Sequence, residues 1–146
     1  MFLAGSIDLV FLVSAGRDLD RTSTQIAAMV TSGCNDSECT RTRISDYRDR
    51  KDNALVLYPN ATVRMVTLTK RNNAISVCSG YTTYIDPATQ TLAMSVLDND
   101  DSAVAVTLEL NYVPFLPLSV ATFATAAKTN LVRNTIGVYR KGATCF

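Results

Sequence analysis

The chain contains no histidine and no tryptophan. Without histidine it lacks the side chain that most often moves protons near neutral pH and most often ligates zinc. Bulk charge is missing too. Its 14 basic and 13 acidic side chains leave a formal net charge of +1, so the overall balance does not draw the protein to nucleic acid. The motifs that carry chemistry are also absent: no G-x-S-x-G elbow, no phosphate-binding glycine loop and no H-E-x-x-H pair. The acidic run Asp98 to Asp101 lacks the glycine and the distal glutamate of an EF-hand loop. These absences argue against the common enzyme classes. The expectation is a protein that is not an enzyme, with no catalytic, cofactor-binding or metal-binding residues and no small-molecule substrate.

What is present is apolar. Of 146 residues, 47% are hydrophobic, enough for one compact domain with its own core. Cysteine is scarce but even in number: Cys34, Cys39, Cys78 and Cys145. Beside an apolar N-terminal segment, this points to an oxidising compartment. Four cysteines allow three connectivities, and all three stay open on sequence alone. The short interval between Cys34 and Cys39 makes a local loop bridge the economical choice, with Cys78 then tied to Cys145. There is no C-x-x-C redox pair, and the wide spacings do not resemble a zinc site.

Residues 1–16 read MFLAGSIDLVFLVSAG, an apolar run with one charge, Asp8. As a helix it spans roughly 24 Å, short of the ~30 Å hydrocarbon core of a bilayer. It lacks the basic leader of a signal peptide. The pattern continues without a break through RDLDRTSTQIAAMVTSG. Leu12, Leu19 and Ile26 recur every seven residues, with Ala15, Thr22, Met29 and Val30 on the same broad face. Gly33 is a natural stop. The prediction is one helix of about thirty residues, apolar all round in its first half and one-sided in its second. A carboxylate deep in lipid costs about 2.5–3.5 kcal/mol on insertion scales, so Asp8 either faces a partner or lies near an interface.

Beyond a polar loop over 34–42, a second helix is expected over 44–57, with Tyr47, Ala54 and Leu55 on its inner face. Five basic residues between Arg41 and Lys51 are interleaved with Asp46, Asp49 and Asp52, which reads as a solvated face laced with ion pairs. Residues 62–69 form a strand, 70–73 a turn and 74–78 its partner strand. A short helix is expected over 89–97. Residues 103–112 (AVAVTLELNY) alternate cleanly, with Val104, Val106, Leu108 and Leu110 on one face. Another strand covers 129–139. The fold class that follows is α+β, a long N-terminal helix packed on one face of a small four-stranded antiparallel sheet.

Between the last two strands runs VPFLPL, uncharged, with two prolines that cannot donate to a ladder. The apolar residues around them either pack under the domain or lie toward a membrane or a neighbouring subunit.

Three stretches resemble the TadE-like family of pseudopilin-type proteins from tight-adherence (Flp) pilus systems. The first is GSIDLVFLVSAGRDLDRTSTQIAAMV (5–30), where Gly5, Ile7, Asp8, Arg17, Leu19 and Ala27 sit where the family pattern wants them. The second is VAVTLELNYVPFLPL (104–118), in which Tyr112, Pro114 and Pro117 match and Phe115 lies between the prolines. The third is NTIGVYRKGATC (134–145), which looks like the last strand and cysteine-bearing tail of alphaproteobacterial relatives.

The resemblance implies a type IV pilin-like fold whose first half is embedded in membrane. It divides the chain into a membrane-helix portion at 1–16, truncated at its N-terminus, and an extracytoplasmic domain at 17–146. The leader and early acidic residue usual in the family do not occur here. The implied function is that of a minor pilin or pseudopilin in pilus assembly and cell adhesion. It would sit in the bacterial inner membrane as a single-pass protein, with its domain in the periplasm or in an extracellular pilus. The implied partners are other pilins, the pilus assembly platform and membrane lipid, which the helix carrying Gly5, Ile7, Asp8, Leu12, Leu19 and Ile26 would meet. Tyr112, Pro114, Phe115 and Pro117 would form an apolar interaction segment. The alternative is a secreted or virion-type β-rich structural or binding module with no anchor.

Overall fold

The first thirty residues form one unbroken helix, α1 (Phe2–Thr31), about 45 Å long. The computed structural model describes residues 2–34, 37–49, 58, 60–80, 85–112 and 129–141. Gly33 ends α1 in the left-handed conformation, φ +70°, which only glycine adopts without cost. Arg43 then donates to the free carbonyl of Met29 at 2.9 Å, placing a cation at the negative end of the helix. A disulfide between Cys34 and Cys39, Cα–Cα 5.5 Å, folds the chain into α2 (Ser37–Asp49).

The polar loop expected over 34–42 is therefore mostly helix. The bridge and the Arg43 contact hold a polar sequence that periodicity alone did not mark. Ile44 and Tyr47 bury its inner side. Ala54 and Leu55 lie outside the described residues.

Four strands follow: β1 (Ala61–Arg71), β2 (Ala74–Gly80), β3 (Asp101–Tyr112) and β4 (Thr129–Lys141). They form one antiparallel sheet in the order β2-β1-β3-β4. Lys70 and Arg71, expected in the turn, belong to β1. The turn itself is Asn72-Asn73, with φ 50° and 57°, the left-handed pair that matches strand twist in a two-residue hairpin. On the β1–β2 ladder Thr67 faces Ser79 and Leu68 faces Val77, so Cys78 is the extra residue of a bulge. Both β2 and β3 run antiparallel to β1, hence parallel to each other. The helix α3 (Pro87–Val96) makes the crossover between them.

α3 begins with a cap at Asp86, which accepts from the Thr89 N–H at 3.0 Å, and with Pro87 in its first turn. Lys70 Nζ donates to the carbonyls of Met94 at 2.9 Å and Leu97 at 2.6 Å, closing the other end. The Asp98–Asp101 run is the turn that leads into β3. Asp98 N–H donates to Asp101 Oδ2 at 3.1 Å, and Asp101 N–H to the Asp98 carbonyl at 3.1 Å.

The sheet is covered on both faces, not one. Val104, Val106, Leu108 and Leu110 of β3, with Met65 of β1, bury against Ala15, Leu19, Ile26, Ala27 and Val30 of α1 and against α2. The opposite face of the same strands carries Val66, Leu68, Ala103 and Ala105, which pack under Ala93 and Leu97 of the α3 crossover. Met29, expected on the buried face of α1, is 61% exposed. It lies about 80° around the helix from Leu19 at 3.6 residues per turn, beyond the edge of the stripe.

α1 and β4 approach closely at Gly137. A Cβ there would lie 3.2 Å from Ala27 Cβ and 3.1 Å from Thr31 Cγ2. Ser23 and Thr135 share a hydrogen bond of 2.7 Å under the helix.

Two substitutions test this packing by urea unfolding. Leu19, fully buried, is expected to cost about 2–5 kcal/mol as Leu19→Ala, whereas Val10→Ala, at an exposed position, stays within about 0.5 kcal/mol. Gly137→Val forces methyl groups into Ala27 and Thr31 and is expected to cost about 1–3 kcal/mol. Equal losses for Leu19→Ala and Val10→Ala would contradict the burial boundary on α1.

Candidate functional site

Most of the exposed large apolar side chains among the described residues lie in the N-terminal half of α1. Ile7, Leu9, Val10, Phe11 and Val13 are 51%, 61%, 65%, 54% and 48% exposed. At about 100° per residue these positions span an arc of about 200° of the helix circumference. These exposed apolar side chains extend over about 9 Å of helix rise. The buried series starts immediately after them, at Ala15. Leu12, half-buried at the junction, with Leu19 and Ile26 fully inside, forms the ridge that seats the helix on the sheet.

The junction is fixed by polar contacts as well. Asp18 accepts from the Tyr58 hydroxyl at 2.8 Å, and Asp20 pairs with Arg133 of β4 at 3.0 Å. Burial and the neighbouring Asp18 carboxylate push the Tyr58 phenol up to about 12. The exposed half of α1 is thus held by the domain beneath it. No helix among the described residues is long and apolar enough to cross a membrane. A membrane-embedded first half is expected of α1; the side chains described there include the exposed Ile7, Leu9, Val10, Phe11 and Val13. The charges at Asp8 and from Arg17 onward interrupt the apolar window.

No family model, curated protein or solved structure matches this chain.

Other expected site residues fall in separate places. Gly5 and Asp8 lie within α1. Cys34 and Cys39 are bridged at the α1–α2 corner. Cys78 is also disulfide-bonded, and Cys145, its expected partner, lies outside the described residues. Tyr112 is the last residue of β3, opposite Thr129. Pro114, Phe115 and Pro117 lie outside the described residues.

Sequence reading missed a groove on the face of the sheet opposite α1, where α3 leaves the lower strands uncovered. It encloses about 240 Å³ between Arg64, Thr107, Glu109, Val132 and the start of α3 at Asp86 and Thr89. The β1–β3–β4 register carries the signal: it brings Arg64, Glu109 and Asn130 to one face, though no sequence motif marks it. Glu109 accepts from Asn130 at 2.6 Å and from Arg64. Those two bonds hold its carboxyl below the usual carboxylate range. Burial would raise the Asp86 carboxyl, but hydrogen bonds from the Thr89 hydroxyl and backbone N–H groups outweigh it and keep the carboxyl low. The charged groups of the groove are therefore already engaged in holding strands and helix together.

Both carboxyls lie lower in the fold than in the unfolded chain. Each stabilises the protein above the unfolded value, about pH 4, and loses that contribution as pH falls through the folded value. Urea midpoints are expected to drop from about pH 5 downward, and less steeply in the Asp86→Asn/Glu109→Gln variant. Superimposable pH profiles would show that these hydrogen bonds contribute nothing to stability.

Proposed function

We propose that the protein is a membrane-anchored minor pilin or pseudopilin taking part in the assembly of an adhesive tight-adherence (Flp, type IV-like) pilus. The observation that carries this reading is the exposed apolar ring of Ile7, Leu9, Val10, Phe11 and Val13 at the end of a helix whose other half is clamped to a sheet. Covering such a surface with lipid or other apolar helices removes it from water, which is favourable. The likeness of residues 5–30, 104–118 and 134–145 to TadE-like proteins supplies the pilus context.

On this reading the N-terminal half of α1 sits in the bacterial inner membrane or in a bundle of pilin helices. The sheet domain, stapled at Cys34–Cys39, stands in the periplasm or in the extracellular fibre. The contribution is mechanical, not enzymatic: the helix joins other pilins and the assembly platform, and the domain sets the spacing.

The charges at Asp8 and from Arg17 onward, which interrupt the apolar window of α1, favour a second reading, a secreted or virion-type structural or binding module without an anchor. Membrane fractionation and vesicle flotation of the full chain separate the two. The wild-type protein is expected in the membrane fraction, resistant to high salt and released by detergent. The Leu9→Glu/Val10→Glu variant is expected to become soluble with an unchanged thermal midpoint. A wild-type chain that stays monomeric without detergent and does not float overturns the anchored reading and leaves the second.

A further inference from the structure

Just below the apolar ring the helix carries four charges in five residues: Arg17, Asp18, Asp20 and Arg21. In sequence they cancel. On the folded helix they separate. Taking about 100° per residue, Leu19 and Ile26 define the side against the sheet, and Arg17 and Arg21 lie on the opposite, solvent side, one turn apart. Asp18 and Asp20 fall to either flank, where Tyr58 and Arg133 engage them at 2.8 Å and 3.0 Å. Among the described residues neither Arg17 nor Arg21 has an ion-pair partner. Both are exposed. Val10 lies on the same outer line, two turns before Arg17. The outer stripe of α1 therefore passes from exposed aliphatic to exposed, uncompensated guanidinium within about 10 Å of rise.

We infer that Arg17 and Arg21 form a headgroup collar that binds the phosphates of anionic phospholipid where the apolar half of α1 meets the membrane surface. The inference rests on the membrane-anchored reading and adds its lipid class and its depth limit. Guanidinium groups meet phosphate oxygens through paired N–H donors. Their aliphatic stems lie along the apolar boundary while the heads stay at the polar level. The acidic neighbours, turned aside by Tyr58 and Arg133, do not oppose the anionic surface from the same face. Such a collar stops the helix at a set depth, because moving either arginine further into hydrocarbon costs several kcal/mol.

The test is flotation of the full chain with vesicles of phosphatidylcholine alone and with vesicles that also contain phosphatidylglycerol. Tighter binding to the anionic vesicles is expected, falling as salt rises. Arg17→Gln/Arg21→Gln should lose about thirtyfold of the affinity for anionic vesicles, the effect of two basic residues near such a surface. The same variant should keep wild-type binding to phosphatidylcholine, and Arg17→Lys/Arg21→Lys should retain most of the preference. Arg71→Gln, at the far end of β1, should change nothing. The collar is overturned if the double glutamine variant binds anionic vesicles like the wild type, if Arg71→Gln loses as much, or if inorganic phosphate competes beyond a chloride control of equal ionic strength. Failure of the wild type to bind either vesicle, by contrast, removes the anchored reading itself.

Discussion

The structure depends on where α1 stops being buried. From Ala15 onward the inner ridge of the helix lies against β3 and β4. Before that residue Ile7, Leu9, Val10 and Val13 meet solvent, with Leu12 half-buried. Burial of Leu19, Ile26 and Val30 supplies the apolar attraction, at about 1.5–3 kcal/mol for each large side chain. Close approach at Gly137 and the Ser23–Thr135 hydrogen bond fix how the helix lies on the strands. Because the seated half is held this firmly, the other half projects in a defined direction. An apolar end on a loosely tethered helix would fold back on any greasy surface, and here the Asp18–Tyr58 and Asp20–Arg133 contacts at the junction oppose that.

The sheet answers this load with two unlike faces. Large branched side chains at even positions of β3 fill the space under α1, and alanines at 103 and 105 let the short α3 come close on the other side. α3 covers only part of its face, since its ten residues reach about 15 Å. The uncovered remainder is the groove around Arg64 and Glu109. Its charges are spent on tying three strands together and on capping a helix, so it reads as the seam between covered and bare sheet.

Periodicity made the long helix, the hairpin and β3 legible, because their larger apolar side chains repeat at 3.6 or 2 residues. The second face of the sheet was not legible. Ala103 and Ala105 carry too little hydrophobicity to announce burial, and the covering helix is short. α2 was misplaced because a disulfide and a single arginine, not an apolar stripe, determine its start. Met29 is expected on the buried face because it continues the seven-residue spacing of Ala15 and Thr22. The helix turns it out by a fraction of a turn that a broad apolar stripe does not resolve. The groove depends on cross-strand register, which brings together residues 45 and 21 positions apart, and no single-sequence pattern reports that.

The charges at the base of the apolar ring show most plainly what folding adds. Residues 17–21 hold two arginines and two aspartates, whose charges cancel when simply counted. Helical geometry separates the signs by face. The fold then supplies an outside partner for each acid, a neutral phenol for Asp18 and a cation for Asp20. Tyr58 donates a hydrogen bond to Asp18 without adding positive charge. Arg133 reaches Asp20 from β4, on the sheet side of the helix. The outward surface keeps its two guanidinium groups unneutralised at the level where hydrocarbon-like surface ends. A neutral segment of sequence thus becomes a polarised boundary once its helix is seated, and that polarity follows from the burial of Leu19.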